Sequence, residues 1–159
     1  MKPSLVPRTK SGMRSSNLQE NETYMGQINP TPLYKKIGIE EGYNVKLINE
    51  PEYYSELLRG LSCRVIFHKR LFTPVDLIHL FTKSKKELFV ELPQLKKFIK
   101  SSGMIWVSWP KKTSDYISDL DENVIRKIGL ESGLVDTMIC SIDDFWSALK
   151  FVYRTEDRK

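Results

Sequence analysis

Apolar residues follow two rhythms along this chain, short unbroken runs and positions spaced three and four apart, and the two rhythms alternate. Met104-Ile105-Trp106-Val107 is apolar without alternation, the pattern of a strand covered on both faces in a parallel sheet. Pro110 has no N–H to give a ladder, so that strand is predicted to stop there. Comparable runs predict strands over Tyr43–Ile48, Cys63–Phe67, Pro74–Phe81, Leu134–Ile142 and Phe145–Tyr153. Helical spacing fills the gaps. Thr31 as N-cap and Pro32 at the first helical position open a short helix with Leu33, Tyr34 and Ile37 as its apolar stripe and Gly38 as its end. Glu50 and Pro51 start a second helix, whose Tyr54, Leu57 and Leu58 face inward and which Gly60 ends. Ser84 and Glu87 form a capping box for a third, carrying Leu88, Phe89, Leu92, Leu95, Phe98 and Ile99. Pro93 lies inside that pattern and predicts a kink or a split, and Gly103 closes the segment. Asp119, with Glu122 three positions on, caps a fourth helix with Val124, Ile125 and Ile128 inward, ending near Gly133.

Strands joined by helices predict an α/β fold with a doubly wound, mostly parallel sheet. The Asp143-Asp144 joint leaves room only for a hairpin, so the sheet is predicted to end in an antiparallel pair. One link breaks the pattern: about six residues separate the second and third strands, too few for a crossover helix. Residues 1–29, poor in large apolar side chains and rich in Ser, Asn and Gln, are predicted to be a flexible tail. Residues 30–155 then form a single domain and 156–159 a frayed end.

Composition narrows the classes of partner. The net charge of +5 permits an anionic ligand, but the basic residues gather in no stripe with interleaved aromatics, which argues against a nucleic-acid surface. No apolar run has the length of a signal-peptide core or a membrane span, so the expected location is the cytoplasm, with no membrane partner. Cys63 and Cys140 fall in strand-like runs without CxxC or Cys/His spacing and are expected to be buried, reduced thiols rather than a disulfide or a metal site.

Open α/β sheets bind ligands at the carboxyl ends of their strands, which here draws attention to Trp109, Lys111 and Lys112, just past the central strand. The two lysines read as an anion clamp, with Ser114 adding a hydrogen bond, or as a solvated loop. Trp109 reads as a platform for a planar ligand or as a lid on the core. Asn49 ends the first strand, and Asp76 either binds a ligand or caps a helix. His79, flanked by apolar residues and with no nucleophile motif in view, reads as a satisfied interior histidine rather than a general base. Lys150 either reaches the crevice or protects an edge strand. The turn Ile48-Asn49-Glu50-Pro51-Glu52 has no glycine, a proline in place of a donor, and two carboxylates, which disfavours nucleotide binding in the usual mode. No catalytic residue, metal ligand or cofactor is assigned.

A final hairpin whose last strand runs against an otherwise parallel sheet resembles the Rossmann-like fold of the S-adenosylmethionine-dependent methyltransferases. Val75-Asp76-Leu77-Ile78 is similar to the acidic strand that enters their sheet near the switch point. The resemblance implies an architecture more than an activity, and the glycine-free turn departs from their glycine-rich first motif. S-adenosylmethionine is cationic at sulfur, so Glu50 harms it less than it would a phosphate. Thr31-Pro32-Leu33, the 76–81 strand, Trp106-Val107-Ser108-Trp109-Pro110-Lys111-Lys112, Gly133-Leu134-Val135-Asp136 and Trp146-Ser147-Ala148-Leu149-Lys150 also resemble the landmarks of a bacterial family of small proteins catalogued as a domain of unknown function. That resemblance implies a cytoplasmic single-domain protein with no established reaction. The reading is a Rossmann-like, non-catalytic binding or interaction protein, taking a small anion or a protein partner at Asn49, Asp76, Trp109, Lys111, Lys112 and Ser114. The alternative is a degenerate S-adenosylmethionine-dependent methyltransferase.

Overall fold

The two strongest apolar runs become the two central strands, β3 (Val75–Phe81) and β4 (Ile99–Pro110), paired in parallel. The computed structural model describes residues 31–158; the expected tail over 1–29 lies outside them. Before β3 come α1 (Leu33–Ile37), β1 (Asn44–Ile48), α2 (Tyr54–Leu57) and β2 (Ile66–Phe67). After it come α3 (Lys85–Lys96), then β4, α4 (Glu122–Glu131), β5 (Leu134–Ser141) and β6 (Trp146–Tyr153). The sheet order is β2-β1-β3-β4-β6-β5, parallel through β4, with β6 antiparallel to both β4 and β5.

Alternate side chains of each buried strand feed opposite faces. Leu77 and Phe81 of β3 and Trp106 of β4 pack with Leu33, Ile37, Tyr54 and Leu58 from the α1 and α2 side. Ile78, Leu80, Ile105 and Val107 pack with Leu88, Leu92, Ile125 and Ile128 from α3 and α4. A doubly wound sheet results, as the alternation of strand and helix requires. The Trp106 indole donates to the Ile37 carbonyl at 2.7 Å, tying α1 to the sheet.

The short link between β2 and β3 has a geometric answer. β2 pairs only beside Asn44 and Val45, while Val75 starts β3 below the level of Leu77, which pairs with Val45. The return path is therefore only a few residues of strand rise plus two strand spacings, within reach of seven extended residues at roughly 3.3 Å each. Cys63 lies outside the strand and is exposed, contrary to the buried thiol expected, and Cys140 is half-buried; both are reduced.

Four boundaries move. Pro32, not Thr31, is the N-cap of α1. Pro93 does not split α3, which runs on as one helix; Phe89 and Val90, a turn earlier, are 60% and 62% exposed, so water can replace the bond that proline cannot make. β4 begins at Ile99, and Gly103 lies inside it, where a Cβ would meet the Asp76 carbonyl at 2.9 Å. Asp121 caps α4 by accepting from the Val124 N–H at 2.9 Å, while Asp119 accepts from the Lys85 N–H at 2.7 Å in the first turn of α3. At the chain end, Thr155–Asp157 forms a 3-10 turn, and Arg158 donates to the Tyr153 carbonyl.

Candidate functional site

β1 and β3 are neighbours, yet the chain leaves β1 into α2 on one face and β3 into α3 on the other. This reversal opens a crevice at the carboxyl edge of the sheet, where α/β folds place their ligands. Asn49 follows β1 with φ +59°, a left-handed turn that asparagine tolerates better than most residues. Its side-chain amide donates to the Phe81 carbonyl at 3.4 Å, joining the two strand ends. The turn that a glycine usually makes is thus present without the glycine.

On one side of Asn49, between β1, α2 and the end of β2, lies an open cleft of about 820 Å³ lined by Leu47, Glu50, Glu52, Tyr54, Phe67 and His68 among others. Glu50 and Glu52 are exposed. At the end of the second strand, where dinucleotide folds carry a ribose-binding carboxylate, stand His68 and Lys69; His68 hydrogen-bonds the Asn44 amide oxygen at 2.7 Å. The acidic groups of this cleft come from the first turn instead.

The other side of Asn49 is aromatic. Trp146 opens β6 opposite Pro110, so it sits at the carboxyl edge. Its ring meets Phe81 edge-on at 5.0 Å and Tyr116 at 5.2 Å, and the Lys83 ammonium lies 4.3 Å from the centre of the Tyr116 ring. Asp143 accepts from the Phe145 and Trp146 backbone N–H groups at 2.8 and 2.9 Å, which closes the hairpin and turns its carboxylate toward Tyr53. Burial pushes the Tyr53 phenol well up; Asp143 raises it further, and the Trp146 indole N–H, facing the same oxygen, opposes that. Tyr53 Oη and Trp146 Nε1 are both buried, and the Asp143 carboxylate, the Tyr53 hydroxyl and the Trp146 indole N–H face one another in a short polar chain inside this aromatic cluster.

Beneath both sides His79 is fully buried, with Nδ1 2.6 Å from the Tyr54 hydroxyl and Nε2 2.6 Å from the Ser108 hydroxyl. Burial lowers it to about 3, so the ring is neutral, one nitrogen donating and one accepting. This is the satisfied interior histidine of the sequence reading.

The residues singled out from sequence do not all meet. Asn49 is at the crevice. Asp76 is near the opposite end of β3, accepting from the Asn44 N–H at 2.7 Å and pairing with Lys100 at 3.1 Å. Trp109 is 7% exposed and packs on the α3 and α4 face. Lys111 donates to the Ser141 hydroxyl at 2.6 Å, Ser114 donates to the Lys111 carbonyl at 2.7 Å, and Lys112 is exposed. Lys150 lies on an interior strand, not on an edge, among Ser102, Met104 and Thr137 near the start of β4. Tyr53, Tyr116 and Trp146 were not read as a site; the only signal was aromatics in segments that sequence places at strand ends. Among the described residues no group of three or more His, Cys, Asp or Glu is placed to hold a metal, and no helix is long and apolar enough to cross a membrane.

This chain is similar to a S-adenosylmethionine-dependent methyltransferase from Aquifex aeolicus, at TM-score 0.56 and 13% identity over 75% of this chain and 86% of that one. The fold is that of the S-adenosylmethionine-dependent methyltransferases. Magnesium protoporphyrin IX methyltransferase from Synechocystis PCC 6803, with S-adenosylmethionine bound, is similar at TM-score 0.51 and 11% identity over 77% of this chain and 74% of that one. An O-methyltransferase family 2 protein from Planctomyces limnophilus, in complex with apigenin, reaches 0.54 and 10% over 80% and 54%. No family model and no curated sequence matches, so the landmark resemblance to a family of unknown function has no match behind it. Identities this low carry the methyltransferase fold and not the activity.

Proposed function

We propose that the chain is a degenerate methyltransferase that binds S-adenosylmethionine in the cleft between β1, α2 and β2. The observation that supports this is the cleft itself: a left-handed turn at Asn49, two carboxylates where a phosphate loop would be, and the Phe67 ring at the rim. Carboxylates repel phosphates and favour a ligand carrying sulfonium and ammonium charges. Glu50 and Glu52 would hold the cationic groups, and Phe67 would face the adenine. The bound ligand supplies a methyl group activated by positive sulfur; this chain supplies charge, shape and cover.

Calorimetric titration of the full chain tests the reading. S-adenosylmethionine and S-adenosylhomocysteine are both expected to bind. Glu50→Gln with Glu52→Gln should weaken the sulfonium more than the neutral thioether, by roughly three- to tenfold, as befits partly exposed charge pairs. No heat from either ligand at millimolar concentration would end the proposal.

The second reading, a non-catalytic protein with a small anion or partner at Lys111, Lys112 and Ser114, draws on the glycine-free turn and the exposure of Lys112. It requires that Lys111→Ala with Lys112→Ala abolish phosphate or partner binding while leaving adenosyl ligands untouched.

A further inference from the structure

We propose that Ser102, Thr137, Lys150 and Arg158 form a binding site for the dianionic phosphate of a small phosphate monoester. The site lies toward the amino end of β4, away from the carboxyl-edge crevice, and shares no lining residue with the cleft proposed for S-adenosylmethionine.

A cavity of about 530 Å³ opens here, a volume typical of small-molecule sites. Two irregularities of the sheet border it. Between β3 and β4 the pairing jumps from Val75 with Ile99 to Leu77 with Met104, so the chain around Ser102 and Gly103 bulges out of the ladder. Between β5 and β6 it jumps from Asp136 with Phe151 to Met138 with Lys150, which leaves Thr137 unopposed. Bulges bend a strand, re-aim its side chains and are over-represented beside functional sites. Both of these contribute residues to the same cavity.

Lys150 lies between them. It pairs with Trp106 and Met138 on an interior strand, so its side chain stands on the sheet face that α1 covers. Cover ends before it is reached: Gly38, at the end of α1, approaches Met104, and Met104 and Val152 line the cavity beyond. Lys150 is half-buried and, among the described residues, makes no hydrogen bond or ion pair. A cation drawn into a fold normally has a counter-charge, yet no carboxylate lines this cavity. Asp136, next to Thr137, pairs instead with Arg126 at 2.9 Å, and Asp76, behind Gly103, pairs with Lys100 at 3.1 Å. Arg158 adds a second cation. Its Nε donates to the Tyr153 carbonyl at 3.1 Å, which anchors the side chain and leaves its terminal amino groups for a ligand.

The donors select the ligand. An ammonium and a guanidinium together match the charge of a phosphate monoester, which a single carboxylate does not. The Ser102 and Thr137 hydroxyls can donate to the remaining phosphate oxygens. The cavity is larger than a phosphate group, and Met104 and Val152 offer an apolar wall to the organic part of the ligand.

The test titrates the ¹⁵N-labelled full chain with phenyl phosphate at constant ionic strength and follows the backbone amides of Ser102, Thr137 and Lys150. Methyl phenyl phosphate, a diester with one charge, is the control. Phenyl phosphate should shift these amides saturably, and the diester should bind about tenfold more weakly. Lys150→Met, which keeps the reach of the side chain and removes its charge, should weaken phenyl phosphate roughly tenfold. Arg158→Gln, beyond the last strand, should weaken it roughly three- to tenfold. Lys127→Gln removes an exposed charge on α4 and should leave the affinity unchanged, which separates a site from net charge. Should Lys150→Met fail to fold, Arg158→Gln carries the comparison. No saturable shift, equal binding of the diester, an equal loss in Lys127→Gln, or unchanged affinity in the Lys150 and Arg158 variants would overturn the proposal and leave Lys150 a solvated charge on the sheet. The probe contains no adenosyl group, so failure here and failure of the S-adenosylmethionine titration are separate results.

Discussion

At the scale of single residues, burial decides what chemistry remains. His79 had apolar neighbours in sequence, and its location followed from them; its partners, Tyr54 and Ser108, sit 25 and 29 positions away and could not be read. The folded protein holds His79 near 3 against an ordinary 6.5, so the unfolded chain takes a proton that the folded one refuses. Stability should therefore be complete above about 6.5 and fall as pH drops below it, by roughly 1.4 kcal/mol per pH unit, until the folded value is reached. Urea midpoints measured from neutral pH down to about pH 5, above the range where most carboxylates titrate, should show this slope, and His79→Phe should flatten it. A wild-type midpoint that does not change over that range would mean the buried imidazole can protonate in place.

At the scale of elements, caps and glycines were legible in kind and misplaced by a few residues. Asp119 and Asp121 both carry the chemistry of an N-cap; which helix each serves depends on α3 and α4 lying side by side, a fact absent from local spacing. Gly129 gave no warning at all. It sits within α4, buried, and a Cβ there would run into the Phe151 ring. Alanine gains roughly 1 kcal/mol over glycine in a helix, but overpacking a close core costs about 1–3 kcal/mol, and here the obstacle is an aromatic ring fixed on an interior strand. Gly129→Ala is expected to lower the thermal midpoint despite its better helix propensity. A raised midpoint would show that Phe151 has room to turn away.

At the scale of the whole molecule, the sheet is uneven. β3 and β4 are flanked on both sides by strands and covered on both faces, whereas β2 is two exposed residues at one edge. Amide hydrogen exchange should thus be slowest in β3 and β4, near the global limit, and much faster at Ile66 and His68, which donate to the Tyr43 and Val45 carbonyls at that edge. Equal protection of β2 and β3 would mean that the edge is covered by something outside the described residues. The weak edge borders the cleft between β1, α2 and β2, so if S-adenosylmethionine binds there as proposed, it should slow exchange at His68.

The sequence by itself determined the order of strands and helices, and that the sheet closes in an antiparallel hairpin, because these follow from spacing, caps and a short joint. It also showed that the turn after β1 lacks the glycines of a phosphate loop and carries two carboxylates, since that depends on which residues are present and not on where they go. Only the tertiary structure decided that Trp109 and Asp76 stand away from the crevice, that β6 is interior and β5 the edge, and that Tyr53, Asp143 and Trp146 meet. Those facts depend on strand order and on the parity of side chains across a sheet, where a shift of one residue changes the face, and on contacts between segments some ninety residues apart in sequence.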